Sequence, residues 1–446
     1  MSDKPEQATF LPEEVFDFEI ELTDEPLIAR AGLVLPHQMA KALGLPRKID
    51  HELPAPGSPR GLAPSAFAMP ILLMLHGGGR ALEDLRELRA EVTLQKLLKI
   101  GDLPASCTVG DWLRRMGKDA RGLDGLERVN DYLTRKVMGK ETDAEYVLDT
   151  DATIIESEKK AAQWTYQKVK GYQPLLGFLR SVNGTAEDGI RLPGLIIADE
   201  FRNGNVPAGA KAVAFLKRCA EKVPEGKRIA LVRADSAWYQ AEVFNWCQDR
   251  RTGFAICADM DAAVKEAVRS IKDWKPYRGD REISETVHTM RDTKEAFRLV
   301  VQRWPKEQPD LFDQDPYCYH AVATNREDTP EEVVKLYNGR GEIENWIKEL
   351  KEGFGMDWMP CGEMHANAVY FRLGVLAYNL FVAMKALSLP RQWRKHTIAT
   401  VRWRLYQIAG HVMWESRRVR LRLATTLDKL KLLLQAGKRA RQLAAI

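Results

Sequence analysis

Cysteine is scarce and scattered in this chain. The six residues, Cys107, Cys219, Cys247, Cys257, Cys318 and Cys361, include no C-x-x-C pair, so neither a zinc ribbon nor a disulfide framework is indicated and a reducing cytosol fits. Histidine adds no metal signature, because His288, His320 and His365 lack ligand spacing. The apolar run at residues 69–75 is much too short to cross a bilayer, and the opening MSDKPEQATF is too polar and acidic for a signal peptide. A membrane partner is therefore not expected. Internal repeats and low-complexity tracts are missing as well. Acid is nearly absent from residue 390 onward, where Glu415 and Asp428 stand alone among many Lys and Arg, while in the first 25 residues Lys4 is the lone base.

What is present is ordinary in amount and informative in arrangement. A chain of 446 residues can bury a large core in two or three domains. A net charge of +5 and a pI near 8.7 point weakly to a polyanionic partner. Residues 337–351, YNGRGEIENWIKELK, form a helix with two stripes. Ile343, Trp346, Ile347, Leu350 and Phe354 make an apolar stripe that needs a core; Tyr337, Arg340, Glu344 and Lys351 lie beside it, with Glu342 and Glu349 pointing away. An acid bracketed by two bases and a phenol thus borders the buried face instead of opposing it.

Elsewhere the apolar periodicity changes with position. Residues 65–116 read as short helices with breaks at Gly77-Gly78-Gly79, Gly101 and Pro104, and Thr108 is placed to cap the helix carrying Trp112 and Met116. At Tyr146 the pattern becomes extended. YVLDTDATIIE, QPLLGFLRSVNG with an Asn183-Gly184 turn, and LPGLIIADE predict an antiparallel meander. In the first of these Asp149 and Asp151 face the same way, so geometry does not choose between them. Residues 229–232 are a continuous apolar run of the kind found in central strands, and they deliver Arg233, Asp235 and Ser236 at its end. A further strand-rich stretch, including Trp274, Tyr277 and Trp304, separates Asp235 from Glu344. That separation is too long for a loop and implies an insertion. Past residues 337–351 come a strongly apolar helix over residues 366–387 and a hairpin turning near Gly410.

The spacing of Tyr337, Arg340, Glu344 and Lys351 matches the Y-R-E-K signature of bacterial insertion-sequence DDE transposases, and GFGMDWMPCGEMHANAVYFRLGVLAYNLF resembles its continuation. This resemblance implies an α/β fold with a ribonuclease-H-like mixed sheet flanked by helices, an inserted β-subdomain and a helical N-terminal region. It divides the chain into an acidic arm (1–26), a helical region able to bind DNA ends (27–140), a catalytic core in two parts (141–252 and 329–388) around the insertion (253–328), and a basic C-terminal region (389–446). By the same likeness Asp151, Asp235 and Glu344 are the catalytic acids and ligands of two Mg2+ or Mn2+ ions. Asp149 is the alternative to Asp151, which Thr153 favours by following two places on. Tyr337, Arg340 and Lys351 would hold DNA phosphates, and Trp304 an unstacked base.

The implied activity is strand cleavage at element ends and strand transfer into target DNA. It would be carried out by a cytoplasmic, nucleoid-associated homodimer in a synaptic complex. Hard divalent ions select carboxylate oxygens, so three acids on separate elements suit this chemistry. Two rivals remain: a catalytically inactive DNA-binding descendant, and a metal-independent glycosidase using paired carboxylates.

Overall fold

A computed structural model of the chain describes residues 22–182, 194–308, 315–416 and 418–444. Most of the expected acidic arm and the Asn183-Gly184 turn lie outside these. Nine strands form one mixed sheet. In chain order they are β1 (Glu145–Ala152), β2 (Leu175–Ser181), β3 (Leu195–Glu200), β4 (Arg228–Ala234), β5 (Gly253–Cys257), β6 (Lys275–Pro276), β7 (Glu282–His288), β8 (Phe297–Pro305) and β9 (Tyr317–Thr324). Their spatial order is β6-β7-β8-β9-β5-β4-β1-β2-β3. β1, β2 and β3 are the antiparallel meander, and β4 and β5 run parallel to β1. The two parallel connections pass through the helices Ala212–Lys222 and Ala241–Asp249, as parallel pairing requires. This mixed sheet flanked by helices is compatible with a ribonuclease-H-like arrangement.

The sheet continues across the boundary expected at residue 253. β5 pairs in parallel with β4 and accepts β9 on its other side, so the strands of the insertion extend the same sheet. Alternation does mark β7 as a half-exposed strand, whereas β8 buries Leu299, Val300, Val301 and Gln302 in succession because it is paired on both sides within the sheet; the alternation carries no information about which strand they join. The stretch also holds a helix, Ala262–Arg269, capped by Asp261.

The free edge of β3 is closed by helices, which removes a template for unwanted pairing. Ile196 donates its N–H to Asn379 Oδ1 at 2.9 Å, and its carbonyl accepts from Asn379 and Asn130. Asn379 belongs to Met364–Leu387, a helix long and apolar enough to cross a membrane whose most apolar window is wholly buried inside this fold. Around it pack Ser65–Gly77, Ser106–Lys118 and Ala120–Met138. Thr108 falls inside the first turn of Ser106–Lys118, where Ala105 is the N-cap residue with no side-chain bond; Pro104 already fixes the chain's entry into the helix. The C-terminal hairpin, Gly410–Glu415 with Arg418–Leu423, turns beyond Glu415 and not at Gly410. Gly410 is instead a strand residue opposite Ile28 and Leu423, with Ala31 close enough to leave little room for a side chain.

His76 ties three of these layers together. Its ring nitrogens face the Ala377 carbonyl at 3.1 Å and the Tyr406 hydroxyl at 3.2 Å. Burial, then the nearby Arg402 charge, push its pKa from 6.5 down to about 3. A depressed folded pKa supplies stability above the unfolded value that is lost as pH falls from 6.5 toward 3. At pH 5 this one residue should cost about 2 kcal/mol relative to pH 8. Urea unfolding at both pH values is expected to show that loss, reduced in His76→Gln.

Candidate active site

Strand pairing puts the candidate residues on one face of the sheet. Asp149 lies opposite Arg233 on β4, and Arg233 opposite Ala255 on β5. Alternate residues share a face, so Asp151, Asp235 and Cys257 continue that face toward the strands' ends. The helical run from Pro330 to Gly353 lies across it. This run is not one uniform α-helix. It changes from Pro330–Asn338 to a 3-10 turn at Gly339–Gly341, then to α-helix at Glu342–Lys348 and π-helix at Glu349–Gly353. The apolar stripe holds through these changes, with Ile343, Ile347, Leu350 and Phe354 buried. Trp346 is partly buried against Phe178.

Asp151 and Asp149 have different surroundings although they point the same way. Asp149 is fully buried and both its oxygens are taken, Oδ1 by Arg233 Nε and Oδ2 by Nη2, each at 2.6 Å. Arg233 Nη1 then donates to the Leu336 carbonyl at 2.7 Å. One buried guanidinium thereby brackets β1, β4 and the helix that carries Tyr337. Asp151 is only partly buried. Arg340 Nη2 stands 3.2 Å from its Oδ2, and its Oδ1 accepts from the Ala152 N–H. Burial pushes the Asp151 carboxyl up to about 6; Arg340 opposes this, while the negative charges of Asp235 and Glu344 add to it. Asp151 thus feels the charges of two acids from distant parts of the chain.

Asp235 uses Oδ1 to cap the turn Ser236–Trp238 through the Ala237 N–H at 3.1 Å. Its cap role and its place beside Asp151 are compatible, because a carboxylate has a second oxygen. Glu344 is exposed and forms no ion pair with a described residue. Burial works against the Arg340 charge, but Asp151, Tyr337, Asp235 and Asp149 more than restore it. Lys351 Nζ donates to the Ile154 carbonyl at 2.7 Å, just past the end of β1.

Tyr337 is held by groups that the spacing argument left out. Its ring lies 5.4 Å from that of His320, and Cys257 Sγ is 3.7 Å from His320 Nε2. Burial, then the Cys257 thiol bonded to it, raise the Tyr337 hydroxyl above its usual range. Trp304 stands opposite Cys318, two residues beyond the Gln302 and His320 pair, and so lies on the same face farther along it. Arg281 covers its ring at 4.6 Å. Trp274 likewise faces the Arg303 guanidinium at 4.1 Å.

The donor set fits a hard divalent ion in chemistry: three carboxylates, with mutual repulsion that a cation would relieve. Their present disposition is looser than ligation, since among the described residues no three His, Cys, Asp or Glu side chains converge closely enough to hold a metal. The Arg340 guanidinium instead supplies positive charge to Asp151.

A family model described as transposase DDE domain, group 1, matches residues 18–445. No curated protein matches the chain.

Proposed function

Because the chain belongs to the transposase DDE domain group 1 family, we propose that it cleaves DNA strands at the ends of an insertion element and joins the freed 3'-hydroxyl to target DNA. The family supports transposase activity and DNA as partner. Finer assignments rest on the acid face. The observation that supports them is the ion pair of Arg340 with Asp151 at 3.2 Å, on the face where Asp151 lies within reach of the charges of Asp235 and Glu344.

Asp151, Asp235 and Glu344 would hold two divalent ions, Mg2+ or Mn2+, which supply an activated water and relief of charge on phosphorus and leaving oxygen. The bidentate engagement of Asp149 with Arg233 favours Asp151 over Asp149 as the first ligand. Arg340 offers a planar fork to a phosphate beside the acids, and Lys351 a point charge about three helical turns farther along the same run. Tyr337 would add a hydroxyl, oriented by Cys257 and His320. Trp304 would meet an unstacked base on the rim of the same face, displacing Arg281 from its ring. Two copies in a synaptic complex complete the proposal.

A specific experiment addresses the chemistry. The parent protein should nick an end-bearing duplex with Mg2+ and leave a 3'-hydroxyl, and should be inactive with EDTA. Nicking that persists in EDTA would contradict the two-metal reading, and glycoside hydrolysis in EDTA with no nicking of DNA would support the paired-carboxylate alternative. Binding without cleavage in Mg2+ or Mn2+ would favour a DNA-binding protein that has lost catalysis. For phosphate contacts, Lys351→Ala should weaken end binding and reduce the slope of log affinity against log salt by about 1; an unchanged slope removes Lys351 from the contact set.

A further inference from the structure

Period-two alternation sorts the C-terminal hairpin into two faces with different destinations. Directly opposite residues share a face. Gly410 with Leu423, Val412 with Leu421, and Trp414 with Val419 make one; His411 with Arg422, Met413 with Arg420, and Glu415 with Arg418 make the other. The first face goes inward, with Val412 fully buried and Leu421 and Leu423 packed on the core. The second therefore looks away from the protein, and it carries Arg418, Arg420 and Arg422 in line, successive arginines about 6.8 Å apart along the strand. At the tip even the inward face runs past its support: Trp414 and Val419, opposite each other, are each 47 % exposed. The hairpin is a two-stranded ribbon rooted at one end, where Gly410 and His411 pair with Ile28 and Leu27, and free at the other.

The arginines are oriented as well as aligned. Arg418 Nε donates to Glu415 Oε2 at 2.9 Å, and Arg420 Nε stands 3.1 Å from Oε1. One carboxylate steadies two guanidinium groups through their inner nitrogens, and the Nη atoms of both have no partner among the described residues. Arg422 is exposed and forms no ion pair with a described residue. Glu415 is the one acid on this face, so three arginines leave it cationic. Edge protection alone does not account for the arrangement. Arg418–Leu423 is an edge strand, and charge on an edge discourages pairing with another chain. Charge of either sign serves that purpose, whereas three like charges in a row repel one another until a polyanion neutralises them.

We propose that the outward face of this ribbon is a sequence-independent grip on duplex DNA, with Arg418, Arg420 and Arg422 donating to backbone phosphates. Guanidinium forks match phosphate oxygens, and a two-stranded ribbon is narrow enough to follow a groove of the duplex. Phosphate contacts fix position and carry no sequence information, so the grip acts on any duplex. The choice of DNA as the polyanion rests on the functional reading above.

The full chain tests this in EDTA, with two labelled duplexes of unrelated sequence followed by fluorescence anisotropy. Arg420→Ala with Arg422→Ala should weaken both duplexes alike, by about 10-fold at about 0.1 M salt. The slope of log affinity against log salt should fall by about 1.8, two phosphates at about 0.9 each. Arg420→Lys with Arg422→Lys should keep the parent's slope, because the charges remain, and Arg422→Glu should weaken binding more than Arg422→Ala. Thermal melting should match the parent at these exposed positions. Unchanged duplex affinity and slope in the double alanine variant overturn the grip, as does a loss confined to one of the two sequences. If the double variant instead loses binding to phosphatidylserine vesicles, or passes from dimer to monomer on sedimentation, with duplex binding intact, the face belongs to a lipid surface or a second copy and the grip is overturned. Magnesium-dependent cleavage together with parent-like duplex binding by the double variant rejects the grip alone. Weakened duplex binding by that variant, with no cleavage by the parent, rejects the catalytic reading alone.

Discussion

Asp235→Asn and Glu344→Gln are each expected to lower cleavage of an end-bearing duplex on the order of 1,000-fold, about 4 kcal/mol of barrier, with duplex affinity within about threefold of the parent. The amide keeps the size of each side chain and removes its charge, so ligation fails while packing survives. Both side chains reach solvent, Glu344 the more so, and Asp235→Asn keeps a side-chain oxygen able to accept the Ala237 N–H. Asp151→Asn should behave the same way. Gel-based cleavage with binding measured in parallel separates the chemistry from DNA recognition. Loss of binding in step with cleavage would place these acids in folding or contact instead.

Asp149→Asn is expected to do the opposite kind of damage. It leaves a buried guanidinium without its counter-ion, which costs about 3–5 kcal/mol, and should appear as a large fall in the urea midpoint. Asp151→Asn, two residues away on the same strand, should leave the midpoint nearly unchanged. Arg233 matters for more than stability, because the same guanidinium holds the Leu336 carbonyl at 2.7 Å. Gly339 leaves room for it, since an added Cβ there would come within 2.5 Å of Arg233 Nη1. Replacing both partners, Asp149→Leu with Arg233→Met, should recover much of the stability but not the link to Leu336. Cleavage is then expected to stay depressed in a folded protein. Full recovery of activity in the double variant would show that the bracket does not position the helix over the strands.

The contrast between Asp149 and Asp151 shows what the chain disclosed before it was folded. Period-two alternation put both acids on one face, and it could not say which would be neutralised. The answer lay in a second strand: Arg233 and Asp235 repeat the same two-residue step as Asp149 and Asp151, so a base meets the first acid and an acid accompanies the second. Reading that match required the β1 and β4 register, which depends on pairing between distant segments. The apolar stripe of residues 343–354 was legible because burial follows helical spacing. Its change to π-helix at Glu349–Gly353 was not, and the hydrogen bonds made there come from Ile398 and Arg402, at the far end of the chain. The same limitation explains β5. An apolar segment beside an acid looks alike whether it closes a core or opens an insertion, and its parallel pairing with β4 carries no mark in the local sequence. Cys257 and His320 gave no spacing signal because strand neighbours bring them to Tyr337.

The central claim is that Asp151, Asp235 and Glu344 are brought together to hold divalent ions beside Arg340. Crystals grown with Mn2+ and an end-bearing DNA, measured for manganese anomalous scattering, test it most directly. Peaks with carboxylate oxygens of Asp151, Asp235 and Glu344 as ligands, and Asp149 still paired with Arg233, are the expected result. Manganese bound elsewhere, or an acid face where Arg340 stays on Asp151 and no ion enters although DNA is seated, would contradict it.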